Sequence, residues 1–207
     1  MILNSKTDFC DTQHLNPLGG SKVTAFLGQY LIENCGVQDK RGSEYAVTWN
    51  TDIALSSAER MNQLKSQVED GNIITTLMMM KANRTRGIIV ITPYAHFSDQ
   101  DIVNDLLQQM GFDISGMTNL TTNTAWIGIY DERNNIADYQ IVNGENGFTL
   151  TNFPMEDAVF YLNCNDNNSF ACSYGTESGM YLHNQMLVVY LFDDAGDLLA
   201  ESGFEID

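Results

Sequence analysis

The chain has 207 residues, 43% of them hydrophobic and only 18% charged, with a formal net charge of −17 and a pI near 4.2. That apolar content excludes global disorder and bounds the protein to one generous domain or two small ones. The acidity argues against direct nucleic-acid or anionic-membrane binding, because both surfaces repel it at long range.

Residues 1–20 are polar, lack a period and end in Pro17-Leu18-Gly19-Gly20, which reads as an N-terminal arm. Met1 to Lys6 contain no apolar h-region, so no secretory signal is expected. Ser21 can cap a first helix whose apolar residues, Val23, Phe26, Leu27, Tyr30 and Leu31, recur at helical spacing, with Gly36 as its stop. Glu44 to Trp49 alternates like a short strand. Ser56-x-x-Glu59 fits a capping box for a second helix with the stripe Ala58, Met61, Leu64 and Val68, ended by Gly71.

Two apolar runs follow, Ile73 to Met80 and Ile88 to Thr92. The connection from Lys81 to Gly87 predicts a β-hairpin with a basic tip of Lys81, Arg84 and Arg86. A third helix is expected from Ser98, with Asp99 and Asp101 favouring its dipole and Gly111-Phe112 closing it in a Schellman turn. From about Asn119 short apolar stretches alternate with Asn/Asp/Gly turns: Trp126–Tyr130, Ile136–Val142, Phe148–Thr151, Ala158–Leu162, Phe170–Tyr174, Met186–Phe192 and Leu198–Phe204. Such spacing predicts an antiparallel meander, sandwich or small barrel. The fold class is therefore α+β: N-terminal helices with a β-hairpin, then a C-terminal antiparallel β-rich meander or sandwich. The parts are an arm (1–20), a helix-and-hairpin half (21–118) and an acidic β-rich half (119–207), the halves allowed to form one continuous domain.

Charge is unevenly distributed. All ten Lys and Arg lie at or before Arg133, whereas residues 134–207 hold twelve Asp and Glu and no Lys or Arg. A segment without cations needs positive charge from a partner, a cation or a second copy, unless it is merely solvated. The expected partner-binding residues are the basic tip (Lys81, Arg84, Arg86) and an acidic face made by Asp138, Glu145, Asp193, Asp194, Asp197, Glu201 and Glu205. Pairing one with the other would be head-to-tail and would build rings or filaments.

Catalytic signatures are absent. Gly19-Gly20-Ser21-Lys22 lacks the Gly-Lys order of a phosphate loop, and neither a nucleophile elbow nor a dinucleotide fingerprint occurs. His14, His96 and His183 stand apart, with His96 at a strand end the one minor lead. The Asn163–Asn167 and Asp193–Asp197 clusters read as turns rather than calcium loops. Met78-Met79-Met80, Trp49 and Trp126 read as core. The thiols of Cys10, Cys35, Cys164 and Cys172 are expected free, with a Cys164–Cys172 bridge the less favoured alternative.

No cofactor and no metal is expected. The function expected is that of a non-enzymatic structural or assembly protein of a multi-copy, virion- or phage-like particle, docking through complementary charge. Its partner would be another protein or copies of itself, with no direct nucleic acid and no membrane, in a cytoplasm (the host's, or the virion, for a viral protein). The alternative is an acidic inhibitor: an immunity, anti-defence or DNA-mimic protein that fills a basic groove. An enzyme assembled from residues distant in sequence ranks third.

Overall fold

The first helix begins before its apolar stripe does. In the computed structural model, which describes residues 2–9, 11–38, 42–70, 72–83, 85–93, 99–143, 147–151, 153, 159–164, 170–174, 178–182, 186–193 and 195–205, Asn16 caps helix α1 (Pro17–Cys35). Its Oδ1 accepts the Gly19 N–H at 3.0 Å, and Pro17 sits at the first turn, where a missing N–H costs nothing. Pro17–Gly20 thus belong to the helix rather than to an arm. Gly36 ends α1 in the left-handed region, as its position foretells.

Helix α2 (Ala46–Asp70) absorbs both the strand expected at Glu44–Trp49 and the capping box. Ser56 lies mid-helix, where its carbonyl and hydroxyl take the Arg60 guanidinium at 3.3 and 3.2 Å. Gly71 lies outside the described residues. The expected hairpin is also overturned. Ile73–Asn83 forms helix α3, and Asn72 Oδ1 accepts the Thr75 N–H at 2.9 Å as its cap. A continuous apolar run has no period of its own, so the upstream Asn decides. Strand β1 (Arg86–Ile91) follows, and Lys81 falls in the last turn of α3.

Helix α4 (Gln100–Gln109) starts at Asp99; the expected Ser98 start lies outside the described residues. It closes as the sequence predicts. Gly111, at φ +101°, donates to Gln108 O at 3.0 Å, Phe112 N donates to Leu107 O at 3.0 Å, and Leu107 and Phe112 are buried together.

Among the described residues eight strands follow: β2 (Thr124–Asp131), β3 (Ile136–Asn143), β4 (Phe148–Thr151), β5 (Val159–Cys164), β6 (Phe170–Tyr174), β7 (Ser178–Leu182), β8 (Met186–Phe192) and β9 (Leu198–Glu205). All pairings are antiparallel, in a five-stranded sheet β3-β2-β1-β8-β9 and a four-stranded sheet β4-β5-β6-β7. The central strand comes from the first half of the chain and both of its neighbours from the second.

The five-stranded sheet is covered on both faces. Ile89, Ile91, Trp126, Leu187, Val189 and Leu191 point to the helices, where Leu64, Val68, Leu77, Met80, Val103 and Leu107 meet them. Ile88, Val90, Ile127, Val188, Tyr190 and Phe192 point the other way, onto Phe160, Leu162 and Cys172 of the second sheet. Strands buried on two faces lose polar alternation, which is why Met186–Phe192 reads as seven apolar residues in a row. The residues ahead of α1 fold back onto it. Asp8 is fully buried, Asn16 Nδ2 donates to Thr7 O at 2.8 Å, and Gln109 Nε2 of α4 donates to Thr7 Oγ1 at 2.9 Å.

Candidate interaction surface

Three strand termini meet at one end of the inner strands of the five-stranded sheet. Arg86, opening β1, is in register with Asp131 at the end of β2 and with Phe192 at the end of β8. Arg86 Nε lies 3.0 Å from Asp131 Oδ2, and Lys81 Nζ lies 3.1 Å from Glu132 Oε2. Tyr130 OH donates to the same Glu132 oxygen at 2.6 Å. Asp131, almost fully buried, also accepts the Arg133 and Asn134 backbone N–H groups and so shapes the β2–β3 turn. Lys81 and Arg86 are thus engaged within the chain; Arg84 lies outside the described residues.

Among the described residues the acidic side chains do not gather on one face. Asp138 is exposed on β3, while Glu201 is half-buried on β9, at the opposite edge of the same sheet. Four strand spacings, about 19 Å, separate those edges. Asp193 and Asp197 lie in the β8–β9 turn, where Asp193 Oδ1 accepts the Asp197 N–H at 2.9 Å. That turn follows Phe192, so it sits at the same end as the paired Arg86. Glu205 ends β9, and Glu145 and Asp194 lie outside the described residues. Phosphate mimicry needs carboxylates spaced along one face, and among the described residues Asp138 and Glu201 stand at opposite edges of the sheet.

Other sequence leads resolve plainly. His14 is exposed, with Nδ1 2.7 Å from Asp11 Oδ2; His96 and His183 lie outside the described residues. Among the described residues no group of three His, Cys, Asp or Glu converges to hold a metal. A shallow depression of about 430 Å³ beside Lys6 is bordered by Asp99, Gln100, Asp101 and Ile102, and these residues present no nucleophile paired with a base. No helix among the described residues is long and apolar enough to cross a membrane.

Cys172 is a free, buried thiol. Register sets it opposite Leu162 and sets Cys164 opposite Phe170, so the two cysteines do not face each other across the strands. Burial pushes the Cys172 thiol from 9.0 up to about 12. Burial likewise pushes up the neighbouring Tyr190 hydroxyl, helped by the charges of Cys172 and Glu201. Both groups hold their proton longer folded than unfolded. Their contribution to stability is therefore complete below about pH 9 and is lost as pH rises toward 12. We expect the urea midpoint to fall above pH 9, with unfolding free energy dropping by about 1.4 kcal/mol per pH unit for Cys172 alone. Cys172→Ala should delay the fall until tyrosine ionises near pH 10; a flat profile to pH 11 would contradict the burial of both groups.

The feature that sequence reasoning misjudged is the surface of α1 and α2. Among the described residues between 20 and 63 none is buried. Yet this segment carries eleven large apolar side chains, exposed from 36% at Leu31 to 77% at Val47. The stripe of Val23, Phe26, Leu27, Tyr30 and Leu31 forms on α1 as expected, but it faces solvent. Trp49, expected in the core, is 47% exposed; Trp126 is fully buried as expected. On α2, Ile53 continues the line of Leu64 and Val68 beyond the body, while Val47 and Leu55 point elsewhere, so the first turns are apolar on several sides. Both helices pack against α3 but scarcely against each other. The missed signal was charge: α1 after Lys22 holds only Glu33, and α2 before Glu59 holds only Asp52. A solvated helix normally carries charged residues on its outer face.

No family model matches this chain, nor does any curated protein or solved structure, so the surface is read from its own geometry.

Proposed function

We propose that this chain is a non-catalytic assembly protein, a structural component of a multi-copy particle, which docks through the exposed apolar sides of α1 and α2. One observation carries the reading: a segment with no buried residue among those described holds eleven large apolar side chains. Taking roughly 150–250 Å² per large side chain and about half of it exposed, they leave on the order of 1,000 Å² in water. The largest apolar patch of an ordinary monomer is about 300–600 Å². With Lys81 and Arg86 paired internally, complementary charge becomes a secondary aid to docking rather than its basis. The exposed Cys35 and the free Cys172 suit a reducing compartment such as a cytoplasm.

Stability measurements test this surface directly. Phe26→Glu, Leu27→Glu, Trp49→Glu and Ile53→Glu remove no buried contact, so in dilute protein each should change unfolding free energy by less than about 0.5 kcal/mol. A loss of several kcal/mol per substitution would mean that these side chains are packed within the fold, and the docking reading would fall.

A further inference from the structure

We infer that the occupant of this surface is a second copy of the same chain, joined face to face through α1 and α2. The inference rests on the docking reading above and adds the partner's identity. Charge selects that partner. Residues 21–63 carry Lys22, Lys40, Arg41 and Arg60 against Glu33, Asp39, Glu44, Asp52 and Glu59, a net of −1 out of the chain's −17. A foreign protein suited to so acidic a molecule would be basic and would seek the carboxylates, not this nearly neutral surface. Two copies repel each other chiefly through residues 134–207, which hold twelve Asp and Glu and no Lys or Arg, and little through the nearly neutral apolar segment.

Area agrees with this partner. On the order of 1,000 Å² of exposed apolar side chain per copy, spread over several sides of the two helices, is of the size of the about 800 Å² per partner that a standard interface buries. Geometry agrees as well. Each copy presents two helices anchored at one end only, α1 at Leu18 and Gly19, α2 at Leu64 and Val68. Their far ends are joined by residues 36–45. Two such pairs supply the four helices of a bundle whose centre would take Phe26, Tyr30, Trp49 and Ile53. A face that contacts its own equivalent is isologous, so this contact closes as a two-fold dimer, and a larger particle would be built from such dimers through their remaining surfaces.

Salt separates this contact from charge docking. Screening relieves the repulsion between two acidic copies and leaves apolar burial intact. Light scattering during size-exclusion chromatography should give twice the 23.1 kDa of the chain, with dimer affinity rising from low to high salt. Phe26→Glu combined with Ile53→Glu should weaken the dimer at least about 100-fold. Hydrogen exchange supplies a readout without variants: amides of residues 24–35 and 46–58 should gain protection as wild-type protein is concentrated. A wild-type monomer at every salt and concentration, with concentration-independent exchange, overturns the second copy as occupant, while the docking reading then stands or falls on the stability test. An oligomer that dissolves in high salt and survives Phe26→Glu/Ile53→Glu overturns it too, and moves the contact to the charged groups.

Discussion

Lys22→Met should cost about 3–5 kcal/mol of stability, lowering the melting temperature by roughly 10 °C, although Lys22 is a partly exposed helix residue. Its ammonium donates to both Asp8 oxygens, at 2.8 and 2.9 Å, and to Gln109 Oε1 at 3.1 Å. The Asp8 side chain is completely buried, and its remaining partners are the Asn4 N–H at 2.7 Å and the Thr7 hydroxyl at 3.4 Å. Without the ammonium a carboxylate stays buried with no counter-charge. Removing one member of a buried pair costs more than removing both, so Asp8→Asn/Lys22→Met should recover at least about 1 kcal/mol over Lys22→Met alone. Gly19 belongs to the same construction, since a Cβ there would strike the Asp8 carbonyl oxygen. Guanidinium unfolding of the two single variants and the double variant measures the coupling. A Lys22→Met loss under 1 kcal/mol would show that the N-terminal segment is not docked as described.

Trp126→Ala should be as damaging, about 3–5 kcal/mol, with a distinctive epistasis. The Trp126 ring is fully buried, meets Phe112 edge-on at 5.2 Å and stacks on Tyr139 at 5.9 Å. It lies over Gly128, two residues along the same face of β2. A Cβ at Gly128 would strike Trp126 Cη2 and approach Phe112 Cε1 to 3.1 Å. Gly128→Ala should therefore destabilise the wild type by about 1–3 kcal/mol through overpacking. With Trp126→Ala already in place the obstruction is gone. The same Gly128→Ala change should then be neutral or favourable, because it fills part of the void and suits a strand better than glycine. Equal costs in both backgrounds would contradict the placement of the indole over Gly128.

The C-terminal half was largely legible because its punctuation is local. Asn135, with φ at +55°, and Gly196, with φ at +93°, sit in the turns that the Asn/Asp/Gly clusters predict. Strand β7, Ser178–Leu182, escaped notice because Ser and Gly dilute its apolar signal, and only pairing with β6 recruits it. The helical half was misread where local signals conflict. Gly19 and Gly20 look like a loop, yet Gly19 is needed for the close approach of Asp8, and the Asn16-Pro17 cap was there to be seen. Ile73–Met80 has no period to distinguish helix from strand, and Asn72 carried the only cue.

The site was legible in composition but not in placement. Lys81 meets Glu132 across 51 residues, and no sequence spacing announces that pair. The α1 stripe was visible as a stripe; which side of the molecule it faces depends on how much of the helix the body can cover, and that body ends at Gly19.

The position of β1 at the centre of the five-stranded sheet has a consequence during synthesis. Its six residues leave the ribosome long before β8, which pairs with it through Val90 and Val188, has been translated. Until then Ile88, Ile89, Val90 and Ile91 have one flanking strand at most, and the nascent chain carries an unpaired apolar ribbon. Refolding of the full-length chain should accordingly be slow for its size, governed by closure of that distant pairing. A cell that makes this protein in quantity would need to shield the ribbon for as long as the last strands take to emerge.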